Sequence, residues 1–163
     1  MSLATVASFP PVARKEHLDR LAALPPRLAF TPELWTKVHD EVQEQLVLLE
    51  TEVRRKVPGI RVDAGRTNGD NFFLFSYRTF SMLGSTLDPV VVGMTFTPTH
   101  QHVIVEADVS GEQTGDWISS VPSKMVANSR EELLEAARES ARKLCLSAEA
   151  IAAALKDPSR RVE

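Results

Sequence analysis

Residues 90–109 read VVVGMTFTPTHQHVIVEADV, two β-branched runs around a polar turn. Side chains alternate between the two faces of a strand, so a hairpin here is testable from the letters alone. With a turn centred on Thr99 and His100, Phe96 lies opposite Val103, Met94 opposite Val105, Val92 opposite Ala107 and Val90 opposite Val109. All eight residues then share one face, and all eight are apolar. The other face carries Val91, Gly93, Thr95 and Thr97 on one strand and His102, Ile104, Glu106 and Asp108 on its partner. A one-residue slip would set apolar against polar throughout and is excluded; a two-residue slip keeps both faces and stays open. One greasy face and one mostly polar face describe an antiparallel sheet covered on a single side. The rest of the chain has to supply the cover.

Two stretches have the period to do so. Thr31-Pro32-Glu33 is a helix start: an N-cap threonine, a proline at the first helical position and an acid in the first turn. Trp35, Val38, Val42, Leu46, Leu49, Val53 and Val57 then recur at spacings of three and four, forming one apolar stripe. Pro58-Gly59 stops a helix of roughly 35–40 Å, long enough to cross a sheet. Near the other end, Ser129-Arg130-Glu131-Glu132 matches the S-x-x-E capping box. A second stripe runs through Leu134, Ala137, Ala141, Leu144, Ala148, Ile151 and Leu155, with a kink or break expected near Leu146 and an end at Asp157-Pro158.

Between the first helix and the hairpin, residues 60–64 make a short strand and GRTNGDN at 65–71 reads as a loop. FFLFSYRTF at 72–80 reads as a strand. Its two faces are both partly apolar; Phe73, Phe75 and Tyr77 are assigned to the core, leaving Arg78 and Ser76 to join the polar face of the hairpin. Residues 110–124 read as a loop held to the core by Trp117, Ile118 and Val121. The expected fold is therefore α+β: a long N-terminal helix, a three- to four-stranded antiparallel meander and a C-terminal helix, in two layers around one core. The expected organisation is a Pro-punctuated arm at 1–30, a single domain at 31–157 and a polar tail at 158–163. The arm, with its two Pro-Pro pairs, is either loosely attached or a docking segment for a partner or a second copy.

Composition narrows the function classes. At 163 residues and a net charge of −3, the chain gives no electrostatic case for nucleic acid or an anionic membrane. No apolar run reaches the roughly 20 residues that span a bilayer. The single cysteine, Cys145, excludes an internal disulfide and cysteine-based zinc sites, and reads as a small buried hydrophobe. A cytoplasmic location is expected, with no cofactor and no metal. The nucleotide-binding, nucleophile-elbow and zinc-protease motifs do not occur. His100-Gln101-His102 reads as a solvated turn and His39-Asp40 as the polar side of the long helix. Asp63, Asp70, Glu106 and Asp108 invite comparison with acids that hold a divalent ion, but no lysine accompanies the EAD segment.

The polar hairpin face is the best candidate for function. It offers His102, Glu106 and Asp108 along one strand with Thr95 beside them, Gly93 as a bare spot at the centre and Arg78 from the aromatic strand. The expected activity is that of a non-enzymatic protein-binding or adaptor module with a protein partner or a second copy, a small polar ligand being a further option. The alternative is a small metal-dependent hydrolase using the acidic residues of the sheet face.

Overall fold

The computed structural model describes residues 28–67, 74–119 and 124–162. Helix α1 (Pro32–Lys56) is followed by strands β1 (Ile60–Arg66), β2 (Leu74–Met82), β3 (Val90–Pro98), β4 (Val103–Gly111) and β5 (Lys124–Ala127), then helix α2 (Arg130–Leu144), a 3-10 turn (Cys145–Ser147) and helix α3 (Ala148–Ala154). The strands form one antiparallel meander in the order β1-β2-β3-β4-β5. The fold class is α+β as expected, with five strands where three or four were predicted. The N-terminal arm at 1–27, Asp70, Phe72, Phe73 and Val121 lie outside the described residues.

Among the described residues the helices lie on one face of the sheet. Helix α1 packs over β1 and β2, and α2 over β3, β4 and β5. Thr31 caps α1 as its sequence implies, its hydroxyl accepting from the Leu34 N–H at 3.1 Å. The α1 stripe from Trp35 to Val57 is buried throughout. Trp35 anchors the helix start: its ring meets Phe96 edge-on at 5.6 Å, and its indole N–H donates to the Thr67 carbonyl at 3.2 Å. Burying the carbon body of a tryptophan while pairing its one polar atom is how this side chain enters a core without penalty.

Ser129 caps α2 by accepting from the Glu132 N–H at 3.1 Å, while the Glu132 carboxylate reaches back to the N–H of Asn128 at 2.7 Å. That is one residue beyond the usual box partner. The buried stripe of α2 begins at Leu133, not Leu134, and takes in Ala136 and Ser140. The stripe must turn toward both the sheet and α1, and this wider arc favours small residues where the helices meet. The expected break is present: Cys145–Ser147 tightens into a 3-10 turn that leaves Leu146 83% exposed. Cys145 is half-buried, its thiol donating to the Gln45 carbonyl at 3.4 Å, and burial pushes its pKa up.

The hairpin takes the two-residue slip that the alternation left open. Phe96 pairs with Val105, Met94 with Ala107 and Val92 with Val109. The turn is thus centred on His100 and Gln101. The Thr99 N–H donates to the His102 carbonyl at 2.8 Å, and the Thr99 hydroxyl accepts from the His102 N–H at 3.0 Å. A side chain that ties both ends of the turn selects this register over its neighbour. All eight predicted core residues of the hairpin are buried.

Strand β2 corrects the face assigned to it. Leu74, Ser76, Arg78 and Phe80 point to the helices, and Phe75 and Tyr77 point away. Strand β1 runs on through Gly65 and Arg66, which were read as loop. Trp117 is 67% exposed, not tucked in; its bridge to Ser110 sets it on the uncovered face. The C-terminal residues fold back: the Val162 N–H donates to the Thr86 carbonyl at 2.8 Å and the Asp88 N–H to the Arg160 carbonyl at 2.8 Å.

Candidate functional site

The side of the sheet away from the helices has no cover among the described residues. Its centre follows from register. Tyr77 pairs with Gly93 and Gly93 with Asp108; one row on, Phe75 pairs with Thr95 and Thr95 with Glu106. Partners across an antiparallel ladder share a face, so these six residues form one surface. Phe75 and Tyr77 stack at 5.4 Å between ring centroids with only 17° between their planes.

The two rings explain two strand glycines. A Cβ placed on Gly93 would come within 2.7 Å of the Phe75 ring and 2.6 Å of the Ser76 carbonyl oxygen. One placed on Gly65 would come within 2.7 Å of the Tyr77 hydroxyl. Each ring leans across a neighbouring strand onto bare backbone. Gly93 is therefore not a vacant spot: the Phe75 side chain fills it, and its buried backbone is the floor under that ring, as Gly65 is under Tyr77.

Thr95, Gly93, Glu106 and Asp108 share this face, with Asp108 and not Glu106 opposite Gly93. Glu106 is exposed, with Lys124 directly opposite on β5, and Asp108 accepts from the Ser110 hydroxyl at 3.0 Å. His102 does not join them; it closes the hairpin turn through its backbone. Arg78 lies on the other side of the sheet. Asp63 pairs with Arg61 at 3.2 Å on β1, two strands from β3. Among the described residues no three His, Cys, Asp or Glu side chains are grouped to hold a metal ion.

Arg78 instead belongs to a polar cluster between α1 and β2. Its Nε donates to Gln43 Oε1 at 2.8 Å and its Nη1 to Glu50 Oε1 at 2.7 Å. Gln43 Nε2 donates to Ser76 Oγ at 3.1 Å and to the Tyr77 carbonyl at 3.2 Å. His39 Nδ1 lies 2.8 Å from Ser76 Oγ. Arginine has only donors, so it fixes the orientation of the Gln43 amide, and the amide N–H in turn occupies Ser76 as an acceptor. The serine proton is then free to go to His39 Nδ1, an arrangement that requires the neutral imidazole protonated at Nε2. Its pKa is lowered first by burial and then by the charges of Arg66 and, more weakly, Arg78, against Asp40. The spacing is that of a nucleophile and its base. Ser76 has no exposed surface, however, and no substrate reaches it. The cluster is a structural bridge, and His39 is half-buried in it rather than a surface residue.

The sequence missed the aromatic pair and Trp117 as parts of the open face. A usable signal was present. Gly65 and Gly93 interrupt two strands that flank FFLFSYRTF, and a strand glycine asks for a large neighbour to lie over it.

Among the described residues no helix is long and apolar enough to cross a membrane. Comparison with known proteins finds no matching family model, no matching curated protein and no matching solved structure.

Proposed function

We propose that this chain is a non-enzymatic protein-binding module of the cytoplasm whose recognition surface is the face of the sheet turned away from the helices. The observation that carries this reading is the stacked Phe75–Tyr77 pair flanked by Glu106 and Asp108. A stacked aromatic pair on a glycine floor is a rigid apolar contact area with little rotamer entropy left to lose on binding. The two carboxylates beside it form no ion pair among the described residues. Their charge opposes a nucleic acid backbone and favours a partner that offers lysine or arginine among apolar side chains.

Affinity capture from native lysate, run in parallel with wild type and with Phe75→Ala and Glu106→Arg variants, tests the proposal. One protein retained by wild type and bound about tenfold or more weakly by each variant is the expected result. A partner held equally well by all three proteins, or none held by wild type, sinks the reading.

A further inference from the structure

We infer that the edge strand β1, whose outer side has no partner strand among the described residues, pairs antiparallel with the β1 of a second copy, centred on Val62. Three observations converge on this edge.

The first is which backbone groups it presents. The Thr67 N–H donates to the Phe75 carbonyl at 2.9 Å, and Thr67 and Phe75 continue the β1–β2 register. Hydrogen-bonded and non-hydrogen-bonded pairs alternate along an antiparallel ladder. Arg61, Asp63 and Gly65 therefore turn their backbone groups toward β2, while Ile60, Val62 and Ala64 turn theirs outward. The Ile60 carbonyl, turned away from β2 by the same alternation, already accepts from Arg54 Nη1 at 3.0 Å, so the groups left for a partner strand are those of Val62 and Ala64. Among the described residues nothing bonds to the outward N–H and C=O of Val62 or Ala64.

The second is charge. A twofold axis at Val62 makes Val62 and its copy a hydrogen-bonded pair. It sets Arg61 opposite Asp63 of the second chain, and Asp63 opposite Arg61, both as non-hydrogen-bonded pairs, the kind whose side chains approach more closely. The Arg-x-Asp spacing is thus complementary to itself under the one rotation that also matches the backbone bonds. A run of like charges on an edge would block such pairing.

The third is apolar surface beside the edge. On the helix side of the same pairing, Ala64, exposed in the single chain, comes to lie opposite Ile60 of the second copy. Val47 is 47% exposed on α1, one helical turn from Gln43 and Glu50, on the flank that Arg54 and Thr36 tie to β1. Pairing the edges would bring these flanks together about the same axis, the isologous arrangement of most dimers.

The test is the solution mass of the full chain over a wide concentration range, by sedimentation or light scattering. Wild type is expected to reach twice the 18.0 kDa chain mass. Arg61→Asp and Asp63→Arg each place like charges in both cross-pairs and should weaken self-association about tenfold or more, with thermal melting showing that both variants fold. An equimolar mixture of the two variants should recover the doubled mass, because opposite charges again face each other in the mixed pair. Three outcomes overturn the inference: a single-chain mass for wild type at every concentration, undiminished dimers of both variants, or failure of the mixture to associate. A single-chain mass is also what results if another segment of the same chain covers the edge. None of these readouts depends on partner capture by the Phe75 surface.

Discussion

At His39 burial and the charge of Arg66 weigh against the imidazolium, and the chain of donors that begins at Arg78 works in the same direction. If the imidazole takes a second proton, Nδ1 becomes a donor, Ser76 Oγ must accept from both His39 and Gln43, and the serine proton loses its acceptor in a site without water access. Charging His39 is therefore harder in the folded chain than in the unfolded one, consistent with its lowered pKa. The sign of the linkage follows. The stability that comes from keeping His39 neutral is fully present above its ordinary value of 6.5 and is lost as the pH falls through that value toward the lower folded one. Thermal melts of wild type should thus fall between about pH 7 and about pH 5, where most carboxylates are still ionised. His39→Gln, which keeps an acceptor near Ser76, should show a shallower decline over that range. Equal slopes for the two proteins would remove His39 as the cause. Nothing local marked this residue. His39-Asp40 sits at the border of the apolar stripe, and its partner Ser76 is far away in sequence.

At the scale of elements, legibility tracked the clarity of the periodicity. Helix α1 was readable because every third or fourth residue is large and apolar and both ends carry the residues that helix ends need. The hairpin faces were readable because eight positions agree. Its register was not, since faces repeat every two residues and the Thr99 contacts across the turn decide between neighbours. Strand β2 failed for the converse reason. FFLFSYRTF is apolar on both sides, and the deciding fact is that Ser76 and Arg78 find Gln43 and Glu50 on α1. In α2 the adjacent Leu133 and Leu134 pose the same ambiguity, which the packing resolves: Leu133 is fully buried and Leu134 only partly. Leu133→Ala should cost about 3 kcal/mol and Leu134→Ala about 1 kcal/mol. Urea unfolding of the two variants measures both, and equal losses would restore the stripe read from sequence.

For the whole molecule, the element that ties separate parts of the chain together is Asp88. Its carboxylate has no exposed surface. It accepts from the Gln113 N–H at 2.9 Å, from the Thr114 N–H at 3.2 Å and from the Thr114 hydroxyl at 2.8 Å, with Arg160 Nη2 at 3.7 Å. One side chain thereby joins the β2–β3 connection, the turn after β4 and the C-terminal residues. Burial alone would raise its pKa, but these hydrogen bonds and the nearby guanidinium outweigh burial and hold it below the usual carboxylate value. Asp88→Ala leaves buried donors and a mostly buried cation without their acceptor and should cost about 3 kcal/mol in guanidinium unfolding. Asp88→Asn, which retains one acceptor oxygen, should cost less, and equal losses would show that the charge and not the acceptor geometry matters. No reading of residues 85–89 in isolation points to this role, because all of Asp88's partners come from the far end of β4 and the chain terminus. What the sequence determined by itself is the set of choices that repeat locally: where helices start and stop, which hairpin residues face the core, and that one face of the sheet is apolar and takes the helices. Only the tertiary structure decided the hairpin register, the face of β2, the fifth strand and the aromatic pair on its glycine floor. Each of these is a competition between local alternatives of nearly equal merit, and a contact with residues distant in the chain breaks the tie.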